Sequence, residues 1–247
     1  MVNAFTTQNA VTALLQLIFP SECAVCRIPL RREGIPFICA ACWAGLSPLS
    51  GPCCPHCGQP FSSPVALAHS PTHTCGACRR RPPAFTRAWS LFAYRTPLKE
   101  ALTLLKYQGK VTLAPPLSRL LIQHLPLLPP VDMIMPVPLH AQRIREREFN
   151  QSALLAKPLS HHLGVPLILG QLIRNRPTVP QTSLAKKERL RNLRGAFAAP
   201  QPEKIRGKTI LLVDDVMTTG TTLHECARTL LKAGSGQVYG LTLARMV

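Results

Sequence analysis

The sequence predicts an α/β protein in which a parallel sheet flanked by helices follows a small Cys-rich module. The first sign is Ile210-Leu211-Leu212-Val213, an apolar, strand-forming run that meets Asp214-Asp215. Val216-Met217 then leads to Thr218-Thr219-Gly220-Thr221-Thr222, and a helical pattern begins at Leu223. A continuous apolar run suits a strand buried on both faces, and the loop after its carboxyl end is where open α/β sheets bind ligands. The second sign is the alternation of strand-like and helix-like segments from Trp89 onward, which favours a parallel sheet. The third is that nine of the ten cysteines precede residue 79. These shifts divide the chain into an expected short helix within 1–20, a Cys-rich unit over 21–83 and an α/β unit over 84–247.

Composition bounds the possible classes. With 247 residues and 46% apolar side chains the chain can build a real core, which excludes wholesale disorder. Twenty-nine Lys and Arg against 11 Asp and Glu leave a formal net charge of +18. That excess predicts attraction to a polyanion, either nucleic acid or an anionic membrane face. One small phosphorylated ligand hardly needs so much charge. Val11 to Phe19 is apolar but far shorter than a membrane span, no Lys or Arg precedes it, and it lacks a small-residue cleavage site. It reads as part of a short helix, not as a span or signal peptide. The expected location is therefore cytoplasmic, with cysteines reduced or metal-bound rather than disulfide-linked.

The cysteines fall as Cys23-x-x-Cys26, Cys39-x-x-Cys42, Cys54-x-x-Cys57 and Cys75-x-x-Cys78, with Cys53 left over. A two-residue gap lets a tight knuckle point both thiolates at one tetrahedral ion, so four knuckles supply two Cys₄ sites. The intervals of twelve and seventeen residues are those of zinc ribbons, and regular pairs suit zinc better than an iron–sulfur cluster. Sequential pairing joins the first four cysteines on one ion and the last four on the other; interleaved pairing remains open. Cys54 keeps the two-residue gap where Cys53 does not, and His56, His69 and His73 read as loop histidines. Gly58 and Gly76 are expected to supply permissive backbone beside the knuckles. A closed Cys₄ site leaves no position for water, so the zinc is structural and supplies much of the module's stability. Arg79-Arg80-Arg81 reads either as a nucleic-acid contact or as a solvated boundary before the Pro82-Pro83 hinge.

Beyond the hinge, Trp89 to Tyr94 reads as a strand. Pro97 to Tyr107 is a helix with apolar residues at Leu98, Ala101, Leu102 and Leu105, leading to a Gly109 turn between Lys106 and Lys110. Ala114 to His124 is a further helix and Met133 to Val137 a strand. A basic loop is expected from Arg143 through Arg145 and Arg147 to Phe149-Asn150-Gln151, followed by a helix over Ala153 to Leu163. Leu223 to Ala233 is helical with Gly234 at its cap, Cys226 is a packed thiol, and Val238 to Ala244 forms a last strand.

The chemistry concentrates at two loops. Small hydroxyls and backbone N–H groups from Thr218 to Thr222, at a helix N-terminus, suit a phosphate. Asp214 and Asp215 would repel that phosphate and suit a ribose diol or Mg²⁺ instead. Phosphate and sugar side by side describe a phosphoribosyl group. The basic segment after the Met133–Val137 strand is placed to receive a pyrophosphate opposite.

All positions from Ile210 to Thr222 resemble the PRPP (phosphoribosyl pyrophosphate) motif of type I phosphoribosyltransferases. With the Pro-x-Pro-Leu strand end at Pro136-Val137-Pro138-Leu139 and with Arg147-Glu148-Phe149-Asn150-Gln151, the chain resembles the competence-associated ComF/GntX family. That family pairs a double zinc ribbon with a type I phosphoribosyltransferase-like domain. Glu148 stands where the family usually has Gly. A third matching stretch comprises Arg174, Thr178, Gln181, Leu184, Arg189, Asn192 and Ala196-Phe197, in a region that closes over the ligand in type I enzymes. The resemblance implies that Asp214 and Asp215 hold the ribose and act in any transfer, and that Val213 through Thr222 bind PRPP. It also implies that Arg143, Arg147, Asn150 and Gln151 face the pyrophosphate with Mg²⁺.

Three functions follow as expectations. A PRPP-binding protein of DNA uptake or utilisation would hold single-stranded DNA on its basic face, among uptake or recombination proteins. With 5% aromatic residues, that contact is mainly electrostatic. A nucleobase-salvage phosphoribosyltransferase is the second expectation, although nothing in the Cys-rich module suggests base recognition. A PRPP-sensing regulator without catalysis is the third.

Overall fold

The computed structural model describes residues 22–30, 34–63, 70, 72–176 and 193–247. The helix expected within 1–20, His69, and the family positions Thr178, Gln181, Leu184, Arg189 and Asn192 lie outside the described residues.

The main sheet of the described chain is parallel, in the order β1 (Arg87–Ala93), β6 (Val238–Arg245), β5 (Ile210–Met217), β2 (Met133–Pro136). Every residue of β6 is buried, as a central strand covered on both faces requires. Along β5 the side chains alternate between two cores. Leu211 and Val213 join Leu98, Leu102 and Leu105 of α3 (Leu98–Gln108), while Ile210 and Leu212 join Leu223 and Leu230 of α7 (Thr221–Lys232). Leu98, Ala101, Leu102 and Leu105 are all fully buried, as their spacing predicts. Each such Leu is worth about 1.5–3 kcal/mol relative to exposure, so packing fixes α3 in place. The first core also takes in α4 (Ala114–Gln123) and α6 (Gln151–Leu163).

The two halves of the Cys-rich unit pack against opposite faces of this sheet. Cys23 and Ile38 belong to the core of α3, α4 and α6, whereas Cys54, Cys57 and Cys78 belong to the core of α7. Each half carries a knuckle, an isolated antiparallel bridge (Glu22 with Pro29, Cys53 with Pro60) and a short helix, α1 (Ala40–Ala44) or α2 (Gly76–Arg80). The segment joining the halves runs along the outer strand: Pro48 bridges Phe92, and Leu49 N–H donates to Leu91 at 2.7 Å. Gly58 is the tightest point of contact. Its φ is +67°, and a Cβ there would stand 2.9 Å from the Ala88 carbonyl oxygen, so only glycine fits. Arg27 holds the matching conformation in the first knuckle, φ 66°. Gly76, expected to serve the same purpose, instead opens α2 without a left-handed φ.

The expected basic loop is a helix, α5 (Ala141–Arg147). None of its residues is buried; the His140 side chain caps its start, accepting from Gln142 N–H at 3.3 Å. It ends at Glu148 in the left-handed conformation, φ 67°. Next, Asn150 accepts from Ser152 N–H at 2.9 Å and starts α6 at Gln151, two residues before the expected Ala153. A two-stranded antiparallel ribbon, β3 (Ile173–Arg174) with β4 (Phe197–Ala198), lies apart from the main sheet.

Candidate functional site

The carboxyl ends of β5 and β2 lie side by side, and three helix termini converge on them. Val213 is fully buried in the strand, its carbonyl accepting from Val137 N–H at 2.9 Å, and Met217 is buried beneath the turn, where it lines the adjoining cleft. Val216 packs at the edge of the first core. The turn then exposes Thr219, whose hydroxyl lies 2.7 Å from that of Thr221, and α7 starts behind it. Gly220 makes this geometry possible. Its φ is +76° and an added Cβ would meet the Met217 Cε at 2.8 Å. Thr218 to Gly220 therefore form a turn that leads into the N-terminus of a twelve-residue helix opening at Thr221 and Thr222, as anion binding needs.

Asp214 and Asp215 point to different partners. Asp215 is buried and forms an ion pair with Lys106, near the end of α3. Burial opposes the Lys106 charge, but Asp215, helped by Asp214, outweighs it and holds the ammonium above its usual pKa. Asp214 accepts from the Ser152 hydroxyl at 2.8 Å and from Asp215 N–H at 2.9 Å. Asp214 is half-buried, with part of its surface open. Burial and the Asp215 charge push it up to about 7, against the lowering influence of Ser152 and Lys106. One carboxylate of the pair is thus neutralised within the protein, and the other is poised near neutrality.

The residues expected on the pyrophosphate side are brought to the same end of the sheet. Asn150 donates to Val137 O at 3.0 Å while capping α6, so one side chain ties the helix to the strand end. Gln151 is buried and accepts from Arg147 at 3.1 Å. Arg147 also stacks on the exposed ring of Tyr107, 5.0 Å from its centroid. Arg143 pairs with Glu146 at 2.7 Å. Asn150 and Gln151 thus hold the framework, and the arginines of α5 stand at the surface.

Among the described residues two clusters fit a metal, Cys23, Cys26, Cys39, Cys42 and Cys54, Cys57, Cys75, Cys78, with the sulfurs of each set within 4.8 Å of one another. The pairing is sequential. Tetrahedral zinc with Zn–S near 2.3 Å places its sulfurs about 3.8 Å apart. Cys26 and Cys39 are separated by 3.6 Å and Cys57 and Cys75 by 3.7 Å. Backbone N–H groups of Cys39 and Cys75 point at the Cys23 and Cys54 sulfurs at 3.3 and 3.4 Å, which favours thiolates. The donor sets fit two structural zinc ions. Cys53 stays outside them, His56 faces Thr86 O at 3.4 Å, and His73 packs on Phe61.

A cleft of about 330 Å³ separates the Thr218–Thr221 loop from the second cluster. Arg80 and Arg81, Cys75 and Cys78 line one side, and buried Arg245 lines it as well. Arg245 donates to Cys57 O at 2.5 Å and to Gln59 Oε1 at 2.6 Å. Three site residues escaped sequence reasoning: Lys106, Ser152 and Arg245. A cation adjoining the buried Leu102–Leu105 stripe, or closing an apolar strand, was the available signal.

Two family patterns match the chain, "Double zinc ribbon domain" over residues 14–82 and "Phosphoribosyl transferase domain" over residues 150–244. The DNA utilization protein YhgH of Salmonella typhi is 36% identical over 237 residues, covering 93% of this chain and 99% of the relative. Competence protein F of Haemophilus influenzae is 31% identical, covering 92% of this chain and 98% of its own. Competence protein ComFC of Bacillus subtilis is 31% identical over 84% of each chain.

Proposed function

Since the chain belongs to the ComF family, with relatives named for competence and DNA utilization, we propose that it binds PRPP or a related phosphoribosyl ligand and acts in DNA uptake or utilisation. The observation that supports this most is the end of β5, where a carboxylate poised near neutrality adjoins an open Thr-Gly loop at a helix N-terminus. In this reading Asp214 takes the ribose hydroxyls, with Asp215 held behind it by Lys106. Thr218, Thr219, Thr221 and Thr222 with Gly220 receive the 5′-phosphate. Arg143 and Arg147, on the framework of Asn150 and Gln151, stand on the pyrophosphate side, where Mg²⁺ accompanies the ligand. The division into a zinc-ribbon unit over 21–83 and a phosphoribosyltransferase-like unit over 84–247, and a cytoplasmic location, belong to the same proposal. No helix among the described residues is long and apolar enough to cross a membrane.

Calorimetric titration with PRPP and Mg²⁺ tests the site. Binding should vanish in Asp214→Ala/Asp215→Ala while zinc content persists, and retained affinity would reject the assignment. Single-stranded DNA is expected along the basic surface through phosphate contacts. The logarithm of its affinity should fall linearly with the logarithm of salt concentration, by about 0.7 decade per decade of salt for each phosphate neutralised. An affinity insensitive to salt would reject that mode. Pyrophosphate release with any free nucleobase would instead favour a salvage enzyme, and DNA affinity that changes with PRPP would favour a sensor.

A further inference from the structure

We propose that Arg80 and Arg81 of the second zinc ribbon complete the anion site of the Thr218–Thr221 loop, so that the ribbon forms one wall of the 5′-phosphate pocket. The inference rests on the phosphoribosyl reading above and extends it, because it takes part of the phosphate site out of the α/β unit and gives it to the metal-held module.

The two groups of residues share one cleft of about 330 Å³. Arg80 and Arg81 are exposed, follow the last zinc ligand Cys78 by two and three residues, and form no ion pair among the described residues. Three guanidinium groups line the cleft, those of Arg80, Arg81 and Arg245, and they exceed the formal charge of about −2 that a zinc tetrathiolate at Cys54, Cys57, Cys75 and Cys78 would carry, so the lining facing the threonine hydroxyls is net positive. Arg245 adds a second sign. It is 97% buried by its 3% exposure, it lines the same cleft, and its Nε has no hydrogen-bond partner among the described residues. A buried donor without a partner points to an absent acceptor. His224, one helical turn beyond Gly220, is close enough to Arg81 to feel its charge. Burial, with Arg81 and Arg228, lowers its pKa against the opposing pull of Glu225, so it stays neutral at pH 7 and does not substitute for the arginines. Its Nδ1 accepts from Ala84 N–H at 3.0 Å, which fastens the chain just past Arg81 to α7.

The attachment of the ribbon is rigid where it matters. Gly58 abuts the Ala88 carbonyl, Ala88 N–H donates to His56 O at 2.7 Å, and Arg245 grips Cys57 and Gln59. Zinc at Cys54, Cys57, Cys75 and Cys78 would therefore hold α2, and with it Arg80 and Arg81, against the loop. The first cluster packs on the other face of the sheet and has no residue in the cleft.

The test uses the full zinc-loaded chain with ribose 5-phosphate and with Mg·PRPP. Arg80→Gln/Arg81→Gln should bind both ligands at least about tenfold more weakly, as expected for losing charge-assisted bonds to a phosphate. Arg79→Gln, one residue outside the cleft lining, should bind as the parent does, and Arg80→Lys/Arg81→Lys should recover part of the loss. Unchanged affinity in Arg80→Gln/Arg81→Gln, beside lost affinity in Asp214→Asn/Asp215→Asn, would overturn the inference and leave the phosphoribosyl reading standing. Weakened PRPP with unchanged ribose 5-phosphate would overturn it too, since the arginines would then face the pyrophosphate. A parent chain that binds neither ligand would remove both. An independent measurement follows zinc transfer to a chelator. Ribose 5-phosphate should slow the loss of one of the two ions, by reciprocity between linked sites; equal slowing of both, or of neither, counts against the proposal.

Discussion

Asp214 carries the sharpest dependence on pH. Its pKa, raised to about 7 by burial and by Asp215, exceeds the unfolded value near 3.9. The protonated carboxyl therefore stabilises the fold below about pH 4, and that contribution is lost as pH rises through about 7. Ligand binding has the opposite sign, because ribose hydroxyls donate to an ionised carboxylate. PRPP affinity, divided by that of Asp214→Asn to cancel ionisation of the ligand's own phosphates, should rise between pH 6 and 8. Calorimetry across that range checks this, and a flat ratio would refute it. At this scale the sequence was partly legible. Asp214, Asp215 and the threonine loop announce themselves because they are contiguous. Lys106 and Ser152 do not, since they meet the carboxylates across 109 and 62 residues of chain, and only folding brings them there.

Elements were easier to read where burial imposes a period. α3 shows every predicted inward position buried, β5 opens on the apolar run Ile210 to Val213, and β6 is buried along its whole length. α5 reads as a loop in the sequence because it has no buried stripe: its one large apolar residue, Ile144, is 42% exposed, and charged side chains dominate the remainder. Its helicity comes from the His140 cap and from i,i+4 neighbours such as Gln142 with Glu146, a local signal weaker than periodicity. The same junction explains the departure at Glu148. The left-handed conformation that separates α5 from α6 costs an L-residue about 1–2 kcal/mol, and Gly escapes that cost. Part of the gain is offset by the freer unfolded chain. Glu148→Gly should thus stabilise the protein by about 0.5–1 kcal/mol, seen as a higher denaturant midpoint at unchanged slope. A lower midpoint would show that Glu148 makes a contact worth more than its strain.

Across the whole molecule, spacing revealed two Cys₄ sets but left their pairing open, since sequential and interleaved ribbons have the same gaps. The tertiary structure resolves it by placing the sets on opposite faces of the sheet. The stretch between them has a consequence for solubility. β1 is an outer strand, and the Pro48–Leu49 segment occupies its free hydrogen-bonding side through the bridge to Phe92 and the bond to Leu91. An uncovered outer strand is a template on which another chain can add its own strand. Loss of zinc loosens both anchors of that segment at once. Chelation should therefore produce concentration-dependent self-association, measurable by light scattering and reversed by zinc, before the α/β unit melts. A monomeric, fully folded metal-free protein would contradict this. Metal supply would then set not only the shape of the ribbons but the time the chain survives unaggregated.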